Sequence, residues 1–352
     1  MTTFRTVNIR QITSFGASLW LALFLAPGVS HAWHFDYLVA QDANGRLVTG
    51  ANDFDNGNAL SLPVRVFYRD LDDTFFGSDP GYSAVSPGNV PDGYFALPAS
   101  TSLYFDMLAV SVGGQSVSNL WYWNGQGNVN FQPATGEKFT LSVGNVSTAV
   151  DGAAAGVTGV KLQDTSPTGS AHRHPSYQLT ATSGGAPAEG LYMIAQEVRM
   201  PGLANSIPYY TLFVTSAISD TEYVAAQDWA KERLTLPGDV NNDGQVDIQD
   251  LTLVANHWLQ AAPVGDDKYL PIGDANYDTR VDIQDLTLIA NHWLQTADSL
   301  GGSALALPFP EPGTLLLAVM GAALIAARVR SGGRFPGGAT CRRSSNHPLE
   351  LV

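Results

Sequence analysis

Between residues 33 and about 218, short apolar runs rich in aromatic and β-branched residues alternate with turn segments rich in Gly, Pro, Asn and Asp. Seven of these runs have the length and composition of strands: 65–68, 103–108, 120–123, 138–141, 177–180, 191–194 and 210–213. Many short strands joined by turn signals are typical of antiparallel sandwiches. The pattern predicts a mainly β fold class, with an N-terminal body over residues 33–235 arranged as a β-sandwich or jelly roll.

The hydrophobic period changes towards the C-terminus, where helices are predicted. Asp220 is a candidate N-cap for a helix over residues 221–234. Further on, segments 246–260 and 281–295 differ at a single position, and apolar residues recur in each at i, i+3, i+4, i+7 and i+8. Neither helix can bury such a stripe alone, so we expect the two to pack together as a small all-α module.

A loop with oxygen-bearing side chains at alternate positions precedes each of these two helices. The spacing is that of positions 1, 3, 5, 7, 9 and 12 of an EF-hand-type calcium loop, in which position 7 ligates through its carbonyl. In the first copy these positions hold Asp239, Asn241, Asp243, Gln245, Asp247 and Asp250. In the second copy they hold Asp274, Asn276, Asp278, Arg280, Asp282 and Asp285. The sequence therefore predicts two calcium sites.

The two predicted sites differ in ways that favour the first. Position 6, where the loop turns sharply, is Gly244 in the first copy and Thr279 in the second. A β-branched residue is poorly suited to the positive φ that this turn requires. Arg280 also adds a positive charge beside the second ion. We expect the second loop to bind calcium more weakly than the first.

A loop followed by a helix, twice, with no helix before the first loop, resembles the type I dockerin module over residues 238–295. The resemblance implies a calcium-stabilised module that binds a cohesin-like domain, with near-symmetric surfaces that permit two orientations. Candidate partner-binding residues stand just before position 12 in each copy. They are Ile248, Gln249, Ile283 and Gln284, where the family commonly has small hydroxyl residues. Alternatively, the calcium loops only stabilise a C-terminal stalk.

The N-terminus is predicted to be a secretory signal peptide over residues 1–32. Arg5 and Arg10 precede an apolar stretch over 19–26, and Ser30-His31-Ala32 is a candidate cleavage site. The alternative is an uncleaved membrane anchor, for which the apolar stretch is short.

The C-terminus carries a second membrane-directed segment, over residues 310–334, after a linker at 297–309. Pro310, Glu311 and Pro312 precede an uncharged stretch at 313–327, and arginines follow it. This order resembles the PEP-CTERM sorting signal. The resemblance implies processing by an exosortase-type enzyme, transient membrane contact and delivery to the cell envelope, outer surface or extracellular matrix. The tail at 335–352 is longer than usual in that family.

Composition narrows the possible partners and chemistry. The net charge is −14, and residues 33–309 hold 11 Lys and Arg against 30 Asp and Glu, which gives 11 − 30 = −19. Such a body repels phosphate backbones and attracts divalent cations, so no nucleic-acid partner is expected. Cys341 is the single cysteine. Cysteine-ligated zinc and a cysteine nucleophile are therefore excluded from residues 1–340.

Two features of the predicted β body suggest further binding. His172 and His174 would share one face of a strand, and with His34 or the new α-amine they could hold copper or zinc; the alternative is a surface or packing role. Trp121 and Trp123 would also share a face, either exposed to stack on sugar rings or buried in the core.

The motifs support an exported, non-catalytic envelope or surface protein that binds calcium and docks to a cohesin-like partner. No G-x-S-x-G, H-E-x-x-H or P-loop motif occurs in the sequence. One alternative is a carbohydrate-binding protein or carbohydrate-active enzyme, with a polysaccharide partner, carried on the docking module. Another is a periplasmic metal-binding β protein.

Overall fold

A computed structural model describes residues 35–55, 57–112, 115–261, 273–276 and 278–297, all within the compact unit that spans residues 32–352. The predicted signal peptide, His34, the sorting segment with Pro310, Glu311 and Pro312, and the tail lie outside the described residues.

The prediction of a mainly β chain is confirmed: the described residues form sixteen strands and three helices. The strands are β1 (Phe35–Gln41), β2 (Leu47–Asp53), β3 (Ala59–Ser61), β4 (Val66–Asp70), β5 (Phe76–Gly77), β6 (Tyr82–Ala84), β7 (Ser102–Leu108), β8 (Trp121–Trp123), β9 (Gln132–Pro133), β10 (Glu137–Val143), β11 (Val146–Val150), β12 (Lys161–Asp164), β13 (Ala171–Arg173), β14 (Ser176–Ala181), β15 (Leu191–Arg199) and β16 (Tyr209–Val214). The helices are α1 (Asp220–Leu234), α2 (Ile248–Asn256) and α3 (Ile283–Asn291).

The strands form three sheets. The first has the order β13-β6-β1-β2-β3, and the second β11-β10-β14-β5. The third has the order β12-β7-β15-β16-β4, with β8 pairing with β15 and β9. Neighbouring strands are antiparallel except β1 with β6 and β16 with β4.

All three sheets contribute to one aromatic core, in the manner of a sandwich. Phe67 and Phe213 from the third sheet meet Tyr37 of the first and Phe139 of the second. The ring centroids of Phe139 and Phe213 lie 4.5 Å apart, and those of Tyr37 and Phe67 lie 4.9 Å apart. Aromatic rings at these separations bury a large apolar area and also favour particular ring orientations, so they help to fix how the sheets pack.

A second core lies on another part of the third sheet and is covered by α1. Trp121 and Trp123 are buried there with Leu212, against Ala226 and Ala230 of the helix. The two tryptophans do share one side of β8, as alternation requires. Because they are buried, this pair forms no exposed platform for sugar rings.

The N-cap of α1 is Ser219, so the prediction that Asp220 caps this helix is wrong by one residue. Asp220 is already the first helical residue, where its charge suits the helix N-terminus. The Ser219 amide donates to the Glu222 carboxylate at 3.2 Å, and the Ser219 hydroxyl contacts the same oxygen. Ser with Glu three residues later is a capping box, a stronger start signal than a lone Asp.

Helices α2 and α3 pack together over a small third core, as their apolar stripes predict. Its buried members are Leu236, Val246, Leu251, Val254, Val281, Leu286 and Ile289. Trp258 and Trp293 pack against it while remaining partly exposed. Within the part of the chain that the structure describes, no helix is long and apolar enough to cross a membrane.

Candidate calcium-binding site

Each acidic loop closes on the aspartate at its twelfth position. Asp250 is fully buried, and its Oδ1 accepts the amides of Val240 at 2.7 Å and Asn241 at 3.1 Å. Its Oδ2 accepts the Asp247 amide at 2.8 Å. One carboxylate thus joins the start of the loop to the start of α2, because a capping box between Asp247 and Asp250 begins that helix.

The second loop repeats this arrangement. Asp285 is also fully buried, and its carboxylate accepts the amides of Ala275 at 2.7 Å, Asn276 at 3.2 Å and Asp282 at 2.7 Å. Asp282 then caps α3 by accepting the Gln284 amide at 2.8 Å. The same residues at positions 1, 3, 5, 9 and 12 of each loop thus give the same closure in both copies.

The remaining acidic and amide side chains turn back into their loops. Asp239 Oδ2 accepts the Gly244 amide at 2.9 Å, and Asn241 Nδ2 donates to Asp243 at 3.0 Å. The matching bonds in the second loop join Asp274 to the Thr279 amide at 3.0 Å, and Asn276 to Asp278 at 3.2 Å. Position 7 is exposed in both copies, at Gln245 and Arg280, and its side chain makes no hydrogen bond among the described contacts.

The first loop contains an orphaned acceptor that suits a cation. Asp239 is 3% exposed, and no donor among the described residues forms a hydrogen bond with its Oδ1. A buried carboxylate oxygen without a partner is costly unless an ion completes its shell. Carboxylate and carbonyl oxygens are also the ligands that calcium prefers. The residues of this loop therefore fit a calcium ion.

The same crowding of acids changes their protonation. The pKa of Asp239 is raised to about 8: burial is the main cause and the charges of Asp250 and Asp243 add to it, while the charge of Arg65 acts in the opposite direction. Burial also raises the pKa values of Asp250 and Asp274 to about 6. Without a cation, the folded first loop therefore holds a proton on Asp239 that the unfolded chain has already lost at neutral pH.

The two copies exchange backbone hydrogen bonds across a pseudo-twofold axis. The Val246 amide donates to Gln295, and the Leu294 amide donates back to Val246, at 3.0 and 2.8 Å. The same two bonds recur 35 residues apart, between Val281 and the segment at 259–260. Each loop is thereby tied to the end of the other copy's helix, so the two sites form one structural unit.

Residues 237–270 match the family model of the dockerin type I domain. The match covers the first loop and α2, together with part of the connection to the second copy. A comparison of the whole chain with curated proteins finds no match.

Position 6 of the two acidic loops adopts the expected positive φ in both copies. Gly244 has φ 87°, and Thr279 has φ 72°. A non-glycine residue in this region costs about 1–3 kcal/mol, and a β-branched residue is a clear outlier. The backbone strain at Thr279 is the physical ground for the prediction that the second loop binds calcium more weakly.

The first dockerin loop also contacts the β body, which the sequence did not reveal. A methyl group added at Gly244 would lie 2.1 Å from Ile207 Cδ1. Arg65, whose charge acts on Asp239, is buried and donates its Nε–H to the Pro208 carbonyl at 3.0 Å. A cavity of about 340 Å³ beside this contact is lined by both the body and the loop, including Tyr94 and Gln249. No local sequence signal joins residues so distant in the chain.

The candidate partner-binding residues lie on the surface of the dockerin module. Ile248 is 61% exposed and Ile283 is 56% exposed, although both are large apolar residues. Gln249 and Gln284 beside them are exposed as well. The equivalent pair Leu259 and Leu294 is also exposed, so the apolar surface is repeated twice by the pseudo-symmetry.

The histidines singled out in the body do come together. Their ring centroids lie 4.9 Å apart, and Asp36 lies beside them. One carboxylate oxygen of Asp36 and one ring nitrogen from each of the two histidines lie within 4.8 Å of one another. The sequence did not indicate Asp36 as a member of this cluster, because it lies more than 130 residues before His172 in the chain. His34 lies outside the described residues.

We predict that calcium affinity rises with pH, because protons and calcium compete for the buried aspartates. The folded pKa of Asp239 is about 8, above its ordinary value of 3.8. Without metal, protonation of Asp239 stabilises the folded state fully below about pH 4, and this stabilisation is lost as the pH rises through about 8. Calcium binding should therefore release protons near pH 6 and few above pH 9. Calorimetry in two buffers of different ionisation enthalpy counts them, and equal heats near pH 6 would contradict the prediction.

Proposed function

We propose that this chain is an exported, non-catalytic envelope or surface protein whose dockerin module binds two calcium ions and docks to a cohesin-like partner. The observation that carries the proposal is the pseudo-twofold pair of acidic loops. Each loop closes on a buried aspartate and begins a helix whose first residue is an exposed isoleucine. Dockerin domains bind calcium and dock to cohesin domains, and one is found at residues 237–270.

The first calcium ion would be held by Asp239, Asn241, Asp243, Gln245, Asp247 and Asp250. The second would be held, more weakly, by Asp274, Asn276, Asp278, Arg280, Asp282 and Asp285. Positions 245 and 280 would contribute main-chain carbonyls. A bound ion neutralises the mutual repulsion of the carboxylates, while the chain itself supplies the helix starts and the shared core that hold the module together.

The docking surface would consist of the exposed starts of α2 and α3. Ile248 with Gln249, and Ile283 with Gln284, offer an apolar side chain beside an amide in the same relation in each copy. Exposed apolar residues at a repeated site fit a partner that buries them. Because the two sites are nearly equivalent, the partner could bind either of them in opposite orientations.

The domain limits and the address signals complete the proposal. A signal peptide at 1–32 would direct export, followed by the β body at 33–235 and the dockerin module at 236–296. A linker at 297–309 would follow, and the sorting segment at 310–334 with Pro310, Glu311 and Pro312 would deliver the protein to an exosortase-type enzyme. The tail at 335–352 would follow that segment. These assignments rest on the sequence patterns.

Docking is tested by measuring binding of the full chain to an immobilised type I cohesin domain. We predict binding in calcium that is lost when the calcium is chelated. Changing Ile248→Asp or Ile283→Asp alone should leave binding through the other site, whereas the double variant should weaken binding at least tenfold. The reason is that each isoleucine would anchor one of two equivalent orientations, and one buried anchor contributes on the order of 1–2 kcal/mol.

A matched control is Val146→Asp, which places the same charge on another exposed apolar residue, 59% exposed, in the β body. This variant should bind like the unchanged chain. If the double isoleucine variant binds calcium and cohesin normally, these residues are not the docking surface. If calcium binds but no type I cohesin domain does, the loops serve only to stabilise the C-terminal part.

A further inference from the structure

A second cluster of metal-ligating side chains lies on the first sheet of the β body. Asp36 is on β1, His172 is on β13, and His174 follows that strand. Strand β6 runs between β1 and β13, and Gly81 immediately precedes it. A methyl group at Gly81 would lie 2.7 Å from Asp36 Oδ1 and 2.8 Å from His174 Nε2. The missing side chain at Gly81 thus lets the carboxylate and the imidazole meet across the strand between them.

The donor atoms converge at the spacing of ligands around one ion. His172 Nε2 lies 2.9 Å from Asp36 Oδ2 and 3.0 Å from His174 Nε2. His174 Nε2 lies 3.7 Å from Asp36 Oδ1. Bonds of about 2.0–2.1 Å to a metal place neighbouring ligand atoms roughly 3.0–3.4 Å apart. The three residues therefore need little movement to share an ion.

The far side of the His174 ring is held in the way metal-bound histidines are held. Its Nδ1 lies 2.9 Å from the Ser78 carbonyl and 2.9 Å from Asp79 Oδ1. Both neighbours are acceptors, so Nδ1 carries the proton and Nε2 keeps its lone pair for the cluster. Asp79 is itself held by Arg69 at 2.8 Å. A carboxylate that orients a ligating histidine is a recurrent second layer of metal sites.

Asp36 is the buried anchor of the cluster. It is fully buried, its Oδ1 accepts the Gly81 amide at 2.9 Å, and its Oδ2 has no hydrogen-bond donor aligned with it among the described residues. The side chain of His172, by contrast, is 58% exposed. A buried carboxylate that faces two imidazole nitrogens at the surface has the polarity of a cation site that is open to solvent on one side.

We propose that Asp36, His172 and His174 bind a divalent transition-metal ion such as Zn²⁺, at a site independent of the calcium loops. Two imidazoles with one carboxylate favour zinc and its first-row neighbours over calcium and magnesium, which take oxygen ligands. Three protein ligands leave at least one coordination position for water or a bound molecule on the exposed His172 side. Asp79 acts as a positioning residue through His174.

The test uses the full chain in saturating calcium, so that the acidic loops do not compete for the added metal. Titration with Zn²⁺ by calorimetry should show one site, and Co²⁺ should give visible absorption bands of a protein-bound ion. Changing His172→Ala or His174→Ala should weaken Zn²⁺ binding by roughly 100-fold and remove the Co²⁺ bands. Asp79→Asn should weaken it about 10–100-fold, the usual effect of losing an orienting carboxylate.

The matched control is His257→Ala, which removes a histidine whose ring contacts the Leu253 carbonyl at the end of α2. This variant should bind Zn²⁺ like the unchanged chain. Metal-free thermal unfolding of each variant reports whether the β body remains folded. The proposal is overturned if the unchanged chain binds neither Zn²⁺ nor Co²⁺, or if folded His172→Ala and His174→Ala variants bind Zn²⁺ with unchanged affinity.

Discussion

Changing Asp250→Ala should abolish calcium binding at the first loop and destabilise the dockerin module by several kcal/mol. The Asp250 carboxylate is fully buried and accepts three backbone amides, from Val240, Asn241 and Asp247. Leaving a buried donor without a partner costs about 1–3 kcal/mol. By the proposed function, the same carboxylate also ligates calcium. The alanine variant therefore loses the closure of the loop and the ion together.

Calorimetric titration of the full chain with calcium should show two sites before the change and one weaker site after it. Thermal unfolding with and without chelator separates the two losses, because only the loss of the ion depends on calcium. Asp73→Ala is the matched control, since it removes an exposed aspartate from the β body and should change neither measurement. Two unchanged calcium sites in the Asp250→Ala variant would exclude Asp250 as a ligand.

Local patterns in the sequence identified much of the fold. All seven predicted apolar runs overlap observed strands, from β4 to β16, because their alternating or continuous apolar residues face the cores. The two acidic loops were also visible in the sequence, since every residue of each loop lies within twelve consecutive positions. Sequence spacing is enough to place side chains when one short turn of the chain brings them together.

Non-local pairing explains what the sequence did not reveal. Strand β2 contains Gly50, Asn52 and Asp53, which have low strand propensity, and it forms because β1 pairs with it along its full length, from Phe35 opposite Asp53 to Gln41 opposite Leu47. Asp36 lies beside the two histidines only because the first sheet has the strand order β13-β6-β1. No periodicity in one segment encodes which strand will lie beside it.

The contact between the first acidic loop and the β body has the same origin. Ile207 meets Gly244, and the charge of Arg65 acts on Asp239, although these two residues lie in the segments just before β16 and β4, far from the loop in sequence. The glycine at position 6 thus has two functions. It accepts the positive φ that the loop requires at this position, and its lack of a side chain leaves room for Ile207.

The exchange of residues at position 6 tests both functions of that glycine. We predict that Gly244→Thr lowers calcium affinity at the first loop at least tenfold and destabilises the chain by about 2–4 kcal/mol. A β-branched residue at φ 87° costs roughly 1–3 kcal/mol. The added Cβ would also lie 2.1 Å from Ile207 Cδ1, and moving that side chain adds about 1 kcal/mol or more.

The reciprocal change and a double variant separate the two contributions. Thr279→Gly should stabilise the second loop by about 1 kcal/mol, because relief of strain at φ 72° is partly offset by the greater freedom of glycine in the unfolded chain. Adding Ile207→Ala to Gly244→Thr should remove the clash but leave the backbone strain, and so recover part of the lost affinity. Calcium titration and chemical denaturation measure both quantities. Full recovery would mean that the strain is negligible, whereas no recovery would mean that the first loop does not rest on the β body through Ile207.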